Sequence, residues 1–126
     1  MPFEVIKGRR IRIDLILKSN QDTGIDILVT FNQVYPRSAW IKELDTFKTT
    51  RISKGETGIT LETDFPVPDY LEDNAKLQAV IQIGDFDKER KVWKKVYDEA
   101  IIDNITVKPY VGYEEVELVS VEIIRV

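Results

Sequence analysis

The chain has 126 residues, of which 43% are hydrophobic and 32% charged, with a formal net charge of −4 at pH 7. This composition predicts one folded domain over residues 1–126 and argues against intrinsic disorder. The sequence contains no cysteine and no histidine, which excludes disulfides, thiolate nucleophiles, histidine-dependent hydrolases and the usual zinc sites. We therefore expect no cofactor and no enzymatic activity.

The acidic balance gives no general attraction to nucleic acid or to an anionic membrane surface. No apolar run approaches the roughly 18 residues that a membrane-spanning helix needs, and residues 1–10 show scattered apolar positions instead of a signal peptide. We expect no membrane partner, regard a nucleic-acid partner as disfavoured, and see no indication of a small-molecule ligand. The sequence leaves the cellular location undetermined.

Alternation of apolar with other residues is the dominant pattern of the first half. Ile11, Ile13 and Leu15 occupy every second position of the clearest example, as in a strand with one face on a core and the other in water. Residues 38–44 fit either a short strand or one helical turn. The strands predicted in this half cover residues 3–7, 9–18, 25–31, 46–52 and 57–63, and the fourth, rich in Thr and Lys, is expected at a sheet edge.

The second half begins with residues 64–74, which contain two prolines and are predicted to cross from one layer to the other. A strand at 77–83 follows. Residues 88–101 are ambiguous, because apolar residues recur every four positions, as in an amphipathic helix capped by Asp87, whereas Val, Trp and Tyr favour a strand. We favour a strand after a hairpin loop at 84–91. An α+β fold with one helix at 88–101 is the alternative.

The last strands are predicted at residues 105–107 and 115–126. Within the latter, Leu118 lies on one face of the strand and Val119 begins an apolar series on the other, which predicts a bulge or a crossing between sheets. Altogether the chain shows eight or nine strands with turn signals at short spacing. The predicted fold is an all-β, antiparallel β-sandwich.

The segment from Pro66 to Val107 has a Pro/Asp corner, two strands around a hairpin at 85–90, and a closing strand. In this order of strands and turns it resembles the second half of immunoglobulin-like accessory domains, of the CARDB and fibronectin type III kinds. Residues 9–30 resemble the early antiparallel strand pair of the same domains. The resemblance implies an immunoglobulin-like sandwich, although the cysteine pair of antibody domains is lacking. The composition resembles that of small uncharacterised proteins of hyperthermophilic archaea and their viruses.

One candidate contact region is the loop at residues 64–74. It mixes an aromatic ring with carboxylates, and its candidate contact residues are Asp69, Tyr70 and Glu72. Loops of this length and mixture often contact partners. The alternative, which we favour, is that Tyr70 and Leu71 instead pack under the sandwich as a plug.

A second candidate contact region is the hairpin tip with Asp85, Asp87, Lys88 and Arg90. The carboxylates alternate as in some calcium loops, but the neighbouring cations would repel a metal ion, so we expect a solvated tip. Further lysines surround Trp93 and are balanced by nearby acidic residues. We therefore expect Trp93 in the core and not as a stacking platform for bases.

Residues 1–18 carry an excess of basic side chains, and residues 96–126 carry an excess of acidic ones. We expect the terminal strands to pair within one sheet, where these charges complement each other. On opposite edges of the molecule they would favour head-to-tail association instead.

These features predict a non-catalytic structural or protein-interaction module, as part of an assembly such as a virion or a cell-surface layer. Its expected partner is another protein or a second copy of the chain. The alternative function is a carbohydrate- or calcium-dependent ligand-binding sandwich that uses Tyr70, Trp40 or Trp93 as a stacking face.

Overall fold

The computed structural model describes residues 3–109 and the backbone of residues 117–124. These residues form nine strands and one short 3-10 helix, Lys42–Leu44. The strands are β1 Phe3–Ile6, β2 Ile11–Ser19, β3 Thr23–Tyr35, β4 Ala39–Trp40, β5 Thr46–Ile52, β6 Gly55–Glu62, β7 Lys76–Asp87, β8 Val92–Lys108 and β9 Glu117–Ile124. Residues 38–44 thus contain both a short strand and a helical turn, which were predicted as alternatives for this segment.

Two sheets are formed. The larger has the order β1-β8-β7-β3-β4, with β5 paired to β3 beside β4, and the smaller has the order β6-β2-β9. This arrangement confirms the predicted all-β, sandwich-like fold and the edge position of residues 46–52. The described residues contain no helix that is long and apolar enough to cross a membrane.

Two strand pairs correct the prediction of a wholly antiparallel sandwich. β1 runs parallel to β8, and β2 runs parallel to β9. The apolar alternation along a strand is the same whichever way its neighbour runs, so the sequence pattern carries no information on direction. In both pairs an early strand lies beside a late one, and the chain changes sheets between β1 and β2.

The core lies between the inner faces of the two sheets. The period-two pattern reappears as strict alternation of buried and exposed residues, which for β2 buries Ile11, Ile13, Leu15 and Leu17. The matching inner residues of the larger sheet are Ile25, Ile27, Val29 and Phe31 on β3 and Leu77, Ala79, Ile81 and Ile83 on β7. Each large apolar side chain buried here contributes on the order of 1.5–3 kcal/mol.

β8 is one continuous strand of 17 residues, so the helix alternative at 88–101 is wrong, and the separate strand predicted at 105–107 is part of β8. Its register against β7 shifts three times, between Leu77 and Ala79, between Ile83 and Gly84, and between Asp85 and Phe86. Each shift adds an unpaired residue on β8. These insertions displace the two-residue alternation, which is why the apolar spacing imitates a helix.

β9 pairs with β2 in an unbroken register from Ile11–Glu117 to Lys18–Ile124. The bulge predicted near Val119 is therefore not present within residues 117–124, and the rest of the predicted strand lies outside the described residues. Strands from the basic and acidic ends of the chain are neighbours in one sheet, so the intramolecular pairing is confirmed.

Candidate functional site

The outer face of the larger sheet is the surface on which the candidate site is built. It carries the residues that alternate with the core positions, and no element among those described covers it. Side-chain hydrogen bonds connect neighbouring strands on this face, among them those from Gln82 Nε2 to Glu99 Oε2 at 3.1 Å and from Gln78 Nε2 to Asp103 Oδ1 at 2.9 Å. Exposed aromatic residues lie at both ends of the face, and these ends are described in turn.

At the first end, three aromatic rings from three strands form a cluster. The ring centroids of Phe47 and Phe86 are 5.5 Å apart, and those of Phe86 and Trp93 are 5.0 Å apart at an interplanar angle of 74°. The Trp93 indole N–H donates to Gln82 Oε1 at 3.2 Å. We call these three rings and Lys88 the hairpin end. Trp93 is half-buried on the outer face, so its prediction as a core residue is wrong.

Asp26 holds the hairpin end to the sheet. Its buried carboxylate accepts the backbone N–H of Phe86 at 2.8 Å and the hydroxyl of Thr49 at 2.6 Å.

The close approach of β7 and β8 near the hairpin end depends on Gly84. A Cβ added to Gly84 would overlap the carbonyl oxygen of Lys95, so only glycine fits between the strands at this register shift.

The tip of the same hairpin is built around Asp87. Its Oδ1 accepts the backbone N–H groups of Glu89 at 3.0 Å and Arg90 at 3.1 Å, while Lys88 Nζ lies 5.5 Å from the centroid of the Phe47 ring. Of the predicted tip residues, Asp87 and Arg90 therefore contact each other and Lys88 lies over the Phe47 ring, while Asp85 is exposed, as Lys88 and Arg90 are. The Asp87 carboxylate is occupied by the turn, and no group of three acidic side chains in the described ranges could hold a metal ion.

The second end of the face is centred on Trp40, whose ring is 62% exposed. Trp40 pairs with Asn32, and its indole N–H donates to Asp45 Oδ2 at 3.1 Å. The other oxygen of Asp45 accepts the backbone N–H of Phe31 at 3.2 Å. Burial raises the pKa of Asp45 above its ordinary value, and these two hydrogen bonds oppose the rise. The ring is thus oriented through its edge and leaves its faces open.

Tyr70 is a second exposed ring next to Trp40. It is 66% exposed, and its hydroxyl donates to Glu43 Oε2 at 2.8 Å. The pKa of Glu43 is lowered, mainly by a hydrogen bond from its own backbone and to a lesser extent by the one from Tyr70. The pKa of Tyr70 is raised, mainly by burial and to a lesser extent by its hydrogen bond to Glu43 and the negative charge of Glu43. Leu71 is buried, so the plug predicted for the 64–74 loop is confirmed for Leu71 and wrong for Tyr70.

The loop presents Tyr70 from a fixed backbone. Val67 is buried, donates its N–H to the Arg9 carbonyl at 2.8 Å, and accepts the N–H of Gly8 at 2.9 Å. The loop also crosses from β6 of the smaller sheet to β7 of the larger one, as its sequence predicts.

Two cavities flank Trp40. The larger, of about 400 Å³, is lined by Asn32, Gln33, Val34, Ser38, Ala39, Trp40 and Gln78. The smaller, of about 160 Å³, is lined by Gln33, Arg37, Ala39, Trp40, Ile41, Tyr70, Leu71 and Glu72. We call these two cavities, which share Trp40 as a lining residue, the Trp40 groove. Tyr70 and Glu72 belong to it, and Asp69 lies outside both linings.

The structure therefore separates the predicted contact residues into two groups at opposite ends of one sheet. Sequence reasoning missed Phe47 and Phe86 at the hairpin end and Asn32 and Gln78 in the Trp40 groove. A signal existed for all four, since each lies at a position that alternates with core residues of its strand.

Comparison with protein-family models, with curated proteins and with solved structures finds no match. The resemblance to immunoglobulin-like accessory domains stays a prediction. A function for this chain has to be argued from the geometry of its two ends.

Proposed function

We propose that the protein is a non-catalytic structural or protein-interaction module that binds a protein partner through the hairpin end. The observation that carries the proposal is the aromatic cluster of Phe47, Phe86 and Trp93 on a sheet face that no described element covers. Partly exposed aromatic rings on a rigid support are typical of the residues that dominate protein–protein binding energy.

The surroundings of the cluster also favour a protein over a polyanion. Lys88 and Arg90 stand beside Asp85 and Asp87 at the tip, so charges of both signs surround the apolar rings. A mixed polar rim around an apolar centre is the usual anatomy of a protein interface. Nucleic acid binding depends instead on an excess of positive charge, which this tip does not have.

The titratable groups with shifted pKa support a binding role over catalysis. Glu43, Asp45 and Tyr70 are such groups. The hydrogen bond between Tyr70 and Glu43 contributes to the shifts of both, whereas the hydrogen bond from Trp40 opposes the rise of the Asp45 pKa. In each case the group acts on the position of a ring, Trp40 or Tyr70. Membership of a larger assembly, such as a virion or a cell-surface layer, stays a prediction.

Phe47→Glu tests the proposal, because it places a charge among the three rings at a side chain that is already 38% exposed. Phe65→Glu is the matched control, since Phe65 is 56% exposed and lies outside the cluster. We would measure molar mass by light scattering over a range of concentration and quantify proteins retained from an extract of the source organism.

Self-association or retention of a defined protein is expected for the parent chain and for Phe65→Glu, and it should be lost for Phe47→Glu. A strictly monomeric chain that retains no protein, or a partner that Phe47→Glu binds unchanged, would contradict the proposal. Thermal unfolding of both variants establishes that they remain folded.

A further inference from the structure

We infer that the Trp40 groove binds a neutral saccharide chain, with one sugar ring stacked on Trp40. The inference concerns the end of the sheet opposite to the hairpin end and does not depend on the proposed protein contact. It rests on the exposed, oriented ring of Trp40, on the neutral hydrogen-bonding groups beside it, and on the two cavities that Trp40 lines.

The orientation of Trp40 is the first argument. Its only polar atom, the indole nitrogen, is used by Asp45 at 3.1 Å, and Asp45 is itself held by the backbone of Phe31. The exposed faces of the ring are therefore apolar, and little side-chain freedom remains to be lost on binding. A flat, fixed aromatic face suits the C–H face of a pyranose ring, which is apolar although the edge of the sugar carries hydroxyls.

The polar lining of the larger cavity is the second argument. The Gln78 amide donates to Asp103 at 2.9 Å, which orients it and leaves its carbonyl oxygen as an acceptor. The Asn32 amide makes no hydrogen bond to the described residues, and Ser38 adds a hydroxyl. Amides and hydroxyls both donate and accept, as sugar hydroxyls require. The lining of this cavity contains no charged side chain, so it favours a neutral ligand.

The smaller cavity extends the site beyond one sugar. It shares Trp40 with the larger cavity and adds Tyr70, whose hydroxyl is fixed by Glu43 at 2.8 Å. Glu43 and Asp45, which lie in and just after the 3-10 helix, thus orient one aromatic ring each. Because Gln33, Ala39 and Trp40 line both cavities, a chain that runs from one cavity to the other passes Trp40. We therefore expect an oligosaccharide to bind more tightly than its monosaccharide.

The test uses the two tryptophans of the chain. In a Trp93→Phe background Trp40 is the sole tryptophan, and its fluorescence reports on the groove alone. We would titrate this protein with cellohexaose, chitohexaose, maltohexaose and mannohexaose, and with the corresponding monosaccharides, and repeat the titrations by calorimetry on the parent chain.

At least one hexasaccharide is expected to change the Trp40 fluorescence with a dissociation constant below about 1 mM and to bind at least about tenfold more tightly than its monosaccharide. When the substitutions are made in the parent chain and binding is measured by calorimetry, Trp40→Ala should weaken binding by at least about tenfold and Asn32→Ala by about threefold. Phe65→Ala should leave it unchanged.

Absence of binding by the whole panel at millimolar concentration would overturn the inference. Binding that Trp40→Ala leaves unchanged would overturn it as well, and so would retention of a protein that is lost on Trp40→Ala but kept by Phe47→Glu. The first two outcomes leave the proposed protein contact at the hairpin end untouched, whereas the third would contradict that proposal as well, so the two failures can be distinguished.

Discussion

The two ends of the larger sheet present aromatic residues in different ways. At the hairpin end the rings pack on one another, with centroids 5.0 and 5.5 Å apart, and form a continuous apolar surface. In the Trp40 groove each ring is tied by its polar atom to a carboxylate, and amides separate the rings from the rest of the face. The first arrangement suits a broad apolar partner, and the second suits a narrow ligand rich in hydroxyls.

The largest effect that distinguishes the two ends is expected from Gly84→Ala. The new methyl group would overlap the Lys95 carbonyl, and forcing β7 and β8 apart should cost about 3 kcal/mol of unfolding free energy, measured by urea denaturation. Gly58→Ala is the control, since a Cβ there meets nothing within 4 Å. If Gly84→Ala is as stable as Gly58→Ala, the close approach of the two strands does not restrict this position.

An intermediate effect is expected from Asp26→Ala. This change removes the acceptor of the Phe86 N–H and of the Thr49 hydroxyl, which should cost about 2 kcal/mol of unfolding free energy and loosen the hairpin end. Hydrogen exchange should show faster exchange of the Phe86 amide. The exposed Asp85 provides the control Asp85→Ala, with a change within about 0.5 kcal/mol. Equal stability of the two variants would mean that Asp26 does not support the cluster.

The smallest effect is a pH dependence at the Trp40 groove. Because burial raises the pKa of Asp45 in the folded state, the folded protein binds this proton more tightly than the unfolded chain does. Stability from this group is therefore gained as pH falls through the raised pKa, which lies above the ordinary value of 3.8. The free energy of unfolding of the parent chain should rise relative to that of Asp45→Asn over this range, by a few tenths of a kcal/mol, measured by urea denaturation. A difference that stays constant with pH would show that Asp45 is not destabilised as an anion.

The core strands could be predicted from the sequence because burial on one face of a strand is a local property. The alternation of Ile11 and Ile13 with Arg12 indicates which face of the strand is buried, and no knowledge of the neighbouring strand is needed. The hairpin strand β8 was harder, since bulges displaced its pattern toward helical spacing. The preference for a strand there was correct because β-branched and aromatic residues outweighed the spacing.

The candidate sites were less predictable because they depend on which strands are neighbours. That Phe47 and Phe86 lie on outer faces follows from their strands alone, but their contact requires the order β7-β3-β5. Likewise, between Trp40 and Gln78 the chain leaves the larger sheet, forms β6 in the smaller sheet and returns. The two residues line one cavity because β3 pairs with both β4 and β7. Tyr70 was predicted as a contact, but its partner Glu43 was not.

The parallel pairing of β2 with β9 has a consequence for biosynthesis. β2 is the central strand of the smaller sheet, yet one of its neighbours belongs to residues 117–124. While the chain is being made, β2 and β6 can join as a pair, but the amides and carbonyls on the other edge of β2 remain unpaired until residues 117–124 emerge. Such long-range closure slows folding and leaves a sheet edge open to other chains in the meantime. The growing chain is therefore most exposed to misassembly before β9 is added.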